Sequence, residues 1–283
     1  MKKLAMVIVN YNDYEKTIKL INNVKDYNCL DLIVIVDNKS TDSSVETIKL
    51  VCNDKIHLVI NEENKGYASG LNKGAKYAHE ILKNCNIIFS NSDIVIEKEE
   101  DFKTLSDDIS EDLAVVGPIV VEGNKYNRGW KKASIAKEIL VNIPLISRYI
   151  KKTLSYSDQH YNYELSKVDV VSGCLFVVDG DILREIDYFD EKTFLYYEEL
   201  ILGTKLETVD KYFVIDNRVK VIHEHSVTVD KNIAKVKKQK ILKESQKYYV
   251  KEYLKANKFQ LFLLAVTRCL GLISIYIRGI VRR

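Results

Sequence analysis

Two uninterrupted apolar runs, residues 4–9 (LAMVIV) and 32–36 (LIVIV), each stop abruptly at polar residues and constrain this chain more than any other feature. A strand with one wet face alternates apolar and polar residues, whereas an unbroken run reads as a strand covered on both faces, as in a parallel sheet. Between the two runs, Ile18, Ile21 and Val24 recur at helical spacing. Further strand-like runs at residues 56–60, 86–89 and 114–116 are separated by helical stretches around 43–52 and 68–83. Strand and helix thus alternate, which predicts a doubly wound α/β sheet with its ligand crevice outside the carboxyl ends of the strands. Three polar clusters fall at such ends and are expected to converge: Asn10-Tyr11-Asn12, residues 37–42 (DNKSTD) and Asn91-Ser92-Asp93.

A chain of 283 residues with 46% hydrophobic and 29% charged side chains can bury a large core, which excludes a disordered tail protein and a collagen-like rod. Cys29, Cys52, Cys85, Cys174 and Cys269 form no Cys-x-x-Cys pair, so neither a disulfide framework nor a structural zinc is expected, and a reducing cytoplasm fits. The apolar run after Lys2 and Lys3 is too short for the core of a signal peptide. Residues 122–165 read as an insertion with a helical piece around 135–150. Two short apolar runs around Ser172-Gly173-Cys174 predict a hairpin or strand with a close backbone approach at Gly173. Residues 212–215 and 219–222 read as the last two strands.

The net charge of +3 hides an asymmetry: residues 231–283 hold fourteen Lys and Arg against Glu244 and Glu252, leaving about −9 on residues 1–230. A basic tail suits a polyanion. Its later part, residues 259–281, is apolar but interrupted by Arg268 and Arg278, which favours an anionic membrane surface over nucleic acid, and a helix lying in the interface over a spanning one. The alternative is a helix packed on the body or on a second subunit.

Several residue types carry chemistry. Asp37 follows a buried strand, where a carboxylate accepts from a ribose hydroxyl or a base N–H; the competing reading is an Asx-turn, with Asp42 capping the next helix. Asp93 would face the same crevice and is placed to hold Mg²⁺ or Mn²⁺ on a diphosphate, although Asn91-Ser92-Asp93 is also a common turn. Residues 64–74 (NKGYASGLNKG) put three glycines at a helix start, which suits either a phosphate contact or a plain loop and N-cap. Phe189-Asp190-Glu191 and residues 194–199 (FLYYEE) gather four carboxylates among aromatic rings. Desolvation there raises a carboxylate pKa toward that of a general base, while a solvated helix start is the alternative. His223 and His225 share one face of an extended segment, as partners of a metal or phosphate or as ordinary surface residues.

Taken in order, residues 7–12 (VIVNYN), 36–42 (VDNKSTD), 64–68 with Asn72 and Gly74, 91–93, and 172–174 leading to 189–191 and 194–199 resemble the family 2 glycosyltransferases, especially the bacterial rhamnosyltransferase-like branch that builds cell-surface polysaccharide. The resemblance implies a GT-A fold: an α/β, Rossmann-like, mixed but mainly parallel sheet with helices on both faces over residues 1–230, then a basic amphipathic helical tail over 231–283. Residues 1–120 would form the nucleotide-binding half and 121–230 the acceptor-side half. It implies a metal-dependent, inverting hexosyl- or deoxyhexosyltransferase at the cytoplasmic face of the cell membrane. The donor would be a dTDP-, UDP- or GDP-sugar and the acceptor a saccharide on a polyprenyl diphosphate; no nucleic acid is involved and a homodimer is compatible.

Carried across by residue, nucleotide contacts fall to Asn10, Asn12, Asp37, Asn64, Gly66, Asn72 and Ser92. Donor or acceptor contacts fall to Gly173, Asp190, Glu191 and Tyr197. Asp93, His223 and His225 would hold Mg²⁺ or Mn²⁺, and Glu199, which aligns with the family's usual Asp, would be the base, with Glu198 beside it. The branch commonly continues with another Asp and then an Arg, where Ile201 and Lys205 stand here. That departure keeps open a non-catalytic, membrane-associated scaffold of a polysaccharide assembly complex. A sugar nucleotidyltransferase would need a Gly-rich, Arg-containing loop after the first strand, and residues 10–13 (NYND) supply neither.

Overall fold

The computed structural model describes residues 2–224 and 235–281, of which 235, 236 and 273–281 are described by their backbone alone. The apolar runs are β1 (Lys3–Asn10) and β2 (Leu32–Asp37), joined through α1 (Tyr14–Val24) and hydrogen-bonded in parallel with Asn10 opposite Asp37. After α2 (Ser44–Lys49), β3 (Ile56–Ile60) extends the sheet on the far side of β2. The chain then returns through α3 (Tyr67–Leu82) to place β4 (Cys85–Ser90) parallel to β1 on its other side. The strand order therefore reverses between β1 and β4, and their carboxyl ends open the crevice.

Burial explains the unbroken runs. Ala5, Val7, Val34, Val36 and Phe89 pack on one side of the sheet with Ala68, Leu71, Ala75 and Ala78 of α3. Their neighbours Met6, Ile8, Ile33, Ile35 and Ile88 pack on the other side with Leu20, Ile21 and Val24 of α1. Alternate residues of one strand thus serve two cores. Gly70 and Gly74 allow the close approach of α3, since a Cβ on Gly74 would lie 2.3 Å from Val7 Cγ1.

Beyond α4 (Glu99–Asp107) the sheet becomes mixed. β6 (Leu113–Glu122) and β10 (Tyr212–His223) run parallel, while β9 (Leu175–Asp179) lies antiparallel between β4 and β6. The two strands expected at 212–222 are one, with a register shift between Asp216 and Lys220 that looked in sequence like a break. Of the hairpin or strand expected around 172–174, the strand forms, as β9 directly after a close approach at Gly173, and the hairpin does not, because β8 (Leu165–Val168) pairs with β10. The two-residue strand β5 (Ile94–Val95) pairs with the end of β10, setting Ile94 opposite His223. β7 (Lys125–Asn127) folds back on β6.

The insertion holds two helices, α5 (Ile135–Leu140) and α6 (Pro144–Thr153), rather than one; the proline keeps Ile143 extended and separates them. After α7 (Gly180–Glu185) comes α8 (Glu198–Glu207), followed in the tail by α9 (Lys235–Glu252) and α10 (Lys258–Val281). Tail and insertion meet in a third core of Ile139, Ile201, Tyr249, Val250 and Leu264. The described part of the basic tail is thus packed on the body, the alternative left open in the sequence, while Phe259, Phe262, Val266 and Leu270 of α10 remain exposed. Among the described residues no helix is long and apolar enough to cross a membrane. Tyr249 is fully buried, so Tyr249→Ala is expected to lower stability by about 3 kcal/mol or more, measured by urea unfolding of the full chain.

Candidate active site

The crevice continues into one cavity of about 650 Å³ whose walls come from four parts of the chain. Strand-end loops contribute Tyr11, Asn38 and residues 91–93; the start of α3 contributes Asn64, Gly66 and Tyr67. Residues 172–174 and 194–200 form the facing wall, and the insertion with α9 closes the far end.

The loops after β1 and β2 are hydrogen-bonded to each other. Asp37 is fully buried; its Oδ2 accepts from Asn10 Nδ2 at 2.8 Å and Ser40 Oγ at 2.6 Å, and its Oδ1 from the Ser40 N–H at 2.9 Å. Asn12, at φ 52°, accepts from the Thr41 N–H and donates its own N–H to Ser40 Oγ. Asp37 and Asn10 therefore make the turn bonds of the competing sequence reading and do not line the cavity, whereas Asn38 and Tyr11 beside them do. Asp42 accepts from the Ser44 N–H two residues on, a turn bond ahead of α2, whose N-cap is Ser43 rather than the expected Asp42.

The glycine-rich segment has a packing cause. Gly66 sits at φ 109°, and a Cβ there would lie 2.3 Å from the Phe194 carbonyl oxygen, to which Tyr67 N–H donates. Asn72 is buried outside the cavity, with Nδ2 donating to Phe189 O and Glu191 Oε1 and Oδ1 accepting from Phe189 N–H. Asn72 and Glu191 thus hold the aromatic segment to α3. Asp190 also lies off the cavity and accepts from Tyr248 of α9 and from Tyr253 just past that helix, at 2.6 Å each; burial works against its charge, yet those bonds hold its carboxyl below the usual range.

Asp93 and His223 form the polar centre of one wall. His223 Nε2 is 3.1 Å from Asp93 Oδ1, and Nδ1 is 2.8 Å from Glu122 Oε1 at the end of β6. Burial opposes both charges, yet the imidazole bond, its charge and Lys16 hold Asp93 low, while Asp93 and Glu122 hold His223 high. Lys16 Nζ lies 3.5 Å from Asp93 Oδ2, and Ser92 donates to Asp13. A carboxylate beside an imidazole, backed by a second carboxylate on the other ring nitrogen, suits a divalent cation whose remaining ligands are diphosphate oxygens and water. Among the described residues no three His, Cys, Asp or Glu side chains form a closed cage. His225 lies outside the described residues.

The facing wall carries Glu198 and Glu199 at the start of α8, after Tyr196 and Tyr197 in the left-handed region. Glu198 is 5% exposed and its Oε1 has no hydrogen-bond partner in the described structure. Burial first, and the neighbouring Glu199 charge second, push its pKa up to about 8. Burial also raises Glu199, which is half-buried and lies against Gly173. Tyr67, whose hydroxyl donates to Asn91 Oδ1, is pushed well up by burial and then by Glu199 and Glu198, so the two walls share one small volume.

Sequence reasoning missed Tyr67, Glu122 and Glu138. Glu138 of α5 is buried and accepts from Tyr197 Oη and from Gln246 Nε2 of α9, both at 2.8 Å, and burial raises its pKa. Tyr67 lay within the segment 64–68 and Glu122 was an acid ending an apolar strand, whereas Glu138 left no signal. The departures at Ile201 and Lys205 avoid the cavity: Ile201 packs on the tail, and Lys205 donates to the Asp187 and Tyr188 carbonyls.

The chain belongs to the glycosyl transferase family 2, whose sequence profile matches residues 5–186. It is 25% identical over 199 residues to the low-salt glycan biosynthesis hexosyltransferase Agl10 of Haloferax volcanii, covering 70% of this chain but 59% of that protein. It is 24% identical to the UDP-N-acetylglucosamine–dolichyl-phosphate N-acetylglucosaminyltransferase of Methanococcus voltae, over 78% of this chain and 82% of that one. Among solved structures it is similar in fold to the mannosyltransferase PcManGT of Pyrobaculum calidifontis in complex with GDP-Man and Mn²⁺, with a TM-score of 0.60 at 11% identity, over 99% of this chain and 79% of that one.

Two outcomes follow from this geometry. A Cβ on Gly173 would lie 1.6 Å from Glu199 Oε1; Gly173→Ala is expected to displace that flexible carboxylate, lowering turnover at least about tenfold with little change in the urea midpoint. Glu198 keeps its proton to about pH 8 when folded but loses it near pH 4.5 when unfolded. The folded chain binds more protons across that interval, so stability should fall as pH rises through it and level off above. Thermal unfolding across the interval should show that slope flattened in Glu198→Gln.

Proposed function

We propose that this chain transfers a sugar from a nucleotide-sugar donor to a hydroxyl of a saccharide acceptor, with inversion at the anomeric carbon, in glycan assembly. The observation that carries this reading is the single cavity with the Asp93–His223 pair on one wall and the Glu198–Glu199 pair on the other. In the reaction the bond from the anomeric carbon to the diphosphate oxygen breaks as the acceptor oxygen bonds to that carbon from the opposite face. Glu199 takes the hydroxyl proton, and Glu198, held protonated at neutral pH, keeps a second negative charge away from it. Tyr11, Asn38, Asn64, Gly66 and Ser92 border the space for the nucleotide. Asp93 and His223 would hold Mg²⁺ or Mn²⁺. When bound, the cation offsets charge on the departing diphosphate.

Hexosyl transfer is favoured over the deoxyhexosyl alternative by the printed activities of the two curated relatives. Both are archaeal, so the bacterial surface-polysaccharide branch gains no support from them. A polyprenyl-linked acceptor is supported by the dolichyl phosphate in one relative's name. Peripheral attachment to the inner membrane face, the finer part of the reading, is supported by the basic tail and by the exposed Phe259, Phe262, Val266 and Leu270 of α10. Calorimetry of the full chain with UDP, GDP and dTDP tests the reading. One nucleotide should bind, about tenfold or more tighter with Mn²⁺, and lose that gain in Asp93→Ala. No binding of any of the three would end the proposal, and indifference to chelator would end the role of the cation.

A further inference from the structure

One buried carboxylate has no part in the transfer reading. Glu138 of α5 is 4% exposed, and its Oε2 accepts from Tyr197 Oη and from Gln246 Nε2 at 2.8 Å each. The Gln246 amide also donates to the Glu138 carbonyl at 2.9 Å, so α9 grips this residue twice. Insertion, tail and the residue that opens α8 therefore meet at a single oxygen atom. Burial pushes the carboxyl up, while the bonds from Gln246 and Tyr197 and the charge of Lys243 work against that push. Burial first, and then the Glu138 charge, hold the Tyr197 phenol well above its ordinary value. The proton therefore stays on the phenol oxygen, and the bond runs from hydroxyl to carboxylate.

Tyr197 is the residue whose placement the reactive carboxylates inherit. Tyr196 and Tyr197 stand at φ 73° and 76°, in the left-handed region that residues with a Cβ rarely adopt. Such a conformation persists only where the surroundings impose it. No side chain caps α8 at Tyr197, and among the described residues neither Glu198 nor Glu199 is hydrogen-bonded to another side chain. The two carboxylates are therefore aimed by the backbone that precedes them, and that backbone is held through the Tyr197 side chain. Its ring rests on Tyr249 at 5.4 Å between centroids, a packing contact with less directional force than a hydrogen bond. Its hydroxyl, bonded to Glu138, has a fixed direction as well as a fixed distance. A leucine or methionine at position 138 would fill a similar volume without burying charge. What the carboxylate adds is that fixed point.

We propose that Glu138 is a positioning residue for the transfer reaction: by holding the Tyr197 hydroxyl it fixes the left-handed entry to α8, and with it the places of Glu198 and Glu199. The proposal rests on the glycosyl-transfer reading above and deepens it. It gives the insertion a role, since α5 and α9 together aim the base, and a displacement of about an ångström at a reacting group is enough to slow a reaction.

The test compares Tyr197→Phe, Glu138→Ala and Glu138→Gln in the full chain, with the donor that supports reaction in the unaltered protein. Tyr197→Phe keeps the ring and removes only the hydroxyl. It should lower kcat about tenfold or more while KM for the donor and nucleotide affinity stay within about twofold, because the base is displaced and the donor side is not. Glu138→Ala should match it, and the double variant should be no slower than the slower single. Glu138→Gln, whose amide oxygen still accepts from both donors, should restore kcat to within about threefold of the unaltered chain. Amide hydrogen exchange over residues 198–204 should quicken about tenfold or more in Tyr197→Phe and Glu138→Ala, and not in Glu138→Gln. Unchanged kcat in Tyr197→Phe, or additive losses in the double variant, would leave a bond that serves stability alone and would overturn the proposal. Glu138→Gln as slow as Glu138→Ala would mean that the charge itself acts, which also overturns it. Tyr197→Phe decides even if Glu138→Ala fails to fold. Exchange separates the two levels: quickened exchange in a chain that transfers sugar from no donor would end the transfer reading alone, and unchanged exchange in an active chain would end this inference alone.

Discussion

Everything reactive in this protein depends on a carboxylate-bearing segment being held against a helix from the other half of the chain. Asn72 of α3 clamps residue 189 by both its backbone groups, at 2.9 Å each. Gly66 lets the Phe194 carbonyl come closer than any side chain would permit. These contacts are costly to lose, because a buried backbone group without its partner forfeits about 1–3 kcal/mol. They bring Glu198 and Glu199 to the cavity that also holds Asp93, more than a hundred residues earlier in sequence. The glycine-rich segment thus owes its composition to close packing of chain on chain.

The same wall is supported from behind by the tail. Ser245 of α9 donates to Leu195 O, and Tyr248 and, just past the helix, Tyr253 donate to Asp190, while Gln246 donates to Glu138 of α5, so the tail holds the segment that leads into Glu198 and Glu199. Ile201, a departure from the family pattern, faces this helix and supplies its packing surface. Insertion, α8 and tail are therefore joined through one shared core.

The sheet and its crevice were legible because an unbroken apolar run has few ways to be buried, and because the polar residues ending each run mark the strand termini. The convergence of Asn10, Asp37 and Asp93 followed from alternation of strand and helix alone. What each side chain does there was not legible. Asp37 spends both oxygens on Asn10 and Ser40, a matter of local distances that spacing does not encode. Of the hairpin or strand expected around Gly173, the strand formed, and the hairpin did not because pairing between distant strands, β9 with β4 and β6, overrides proximity in sequence. The single strand β10 looked like two because its bulge carries Asp216, Asn217 and Arg218. Glu138 had no motif at all; its meaning comes from the segment it holds.

The central claim is that the start of α8 supplies the base for transfer across this cavity. It is tested by comparing turnover and nucleotide affinity in Glu199→Gln and Glu198→Gln, with the donor that supports reaction in the unaltered chain. The account predicts that Glu199→Gln lowers turnover by about 10² or more while nucleotide affinity stays near its original value, since only the proton acceptor is removed. Near-normal transfer by Glu199→Gln together with abolition in Glu198→Gln would move the base by one residue. Full activity in both would contradict the account.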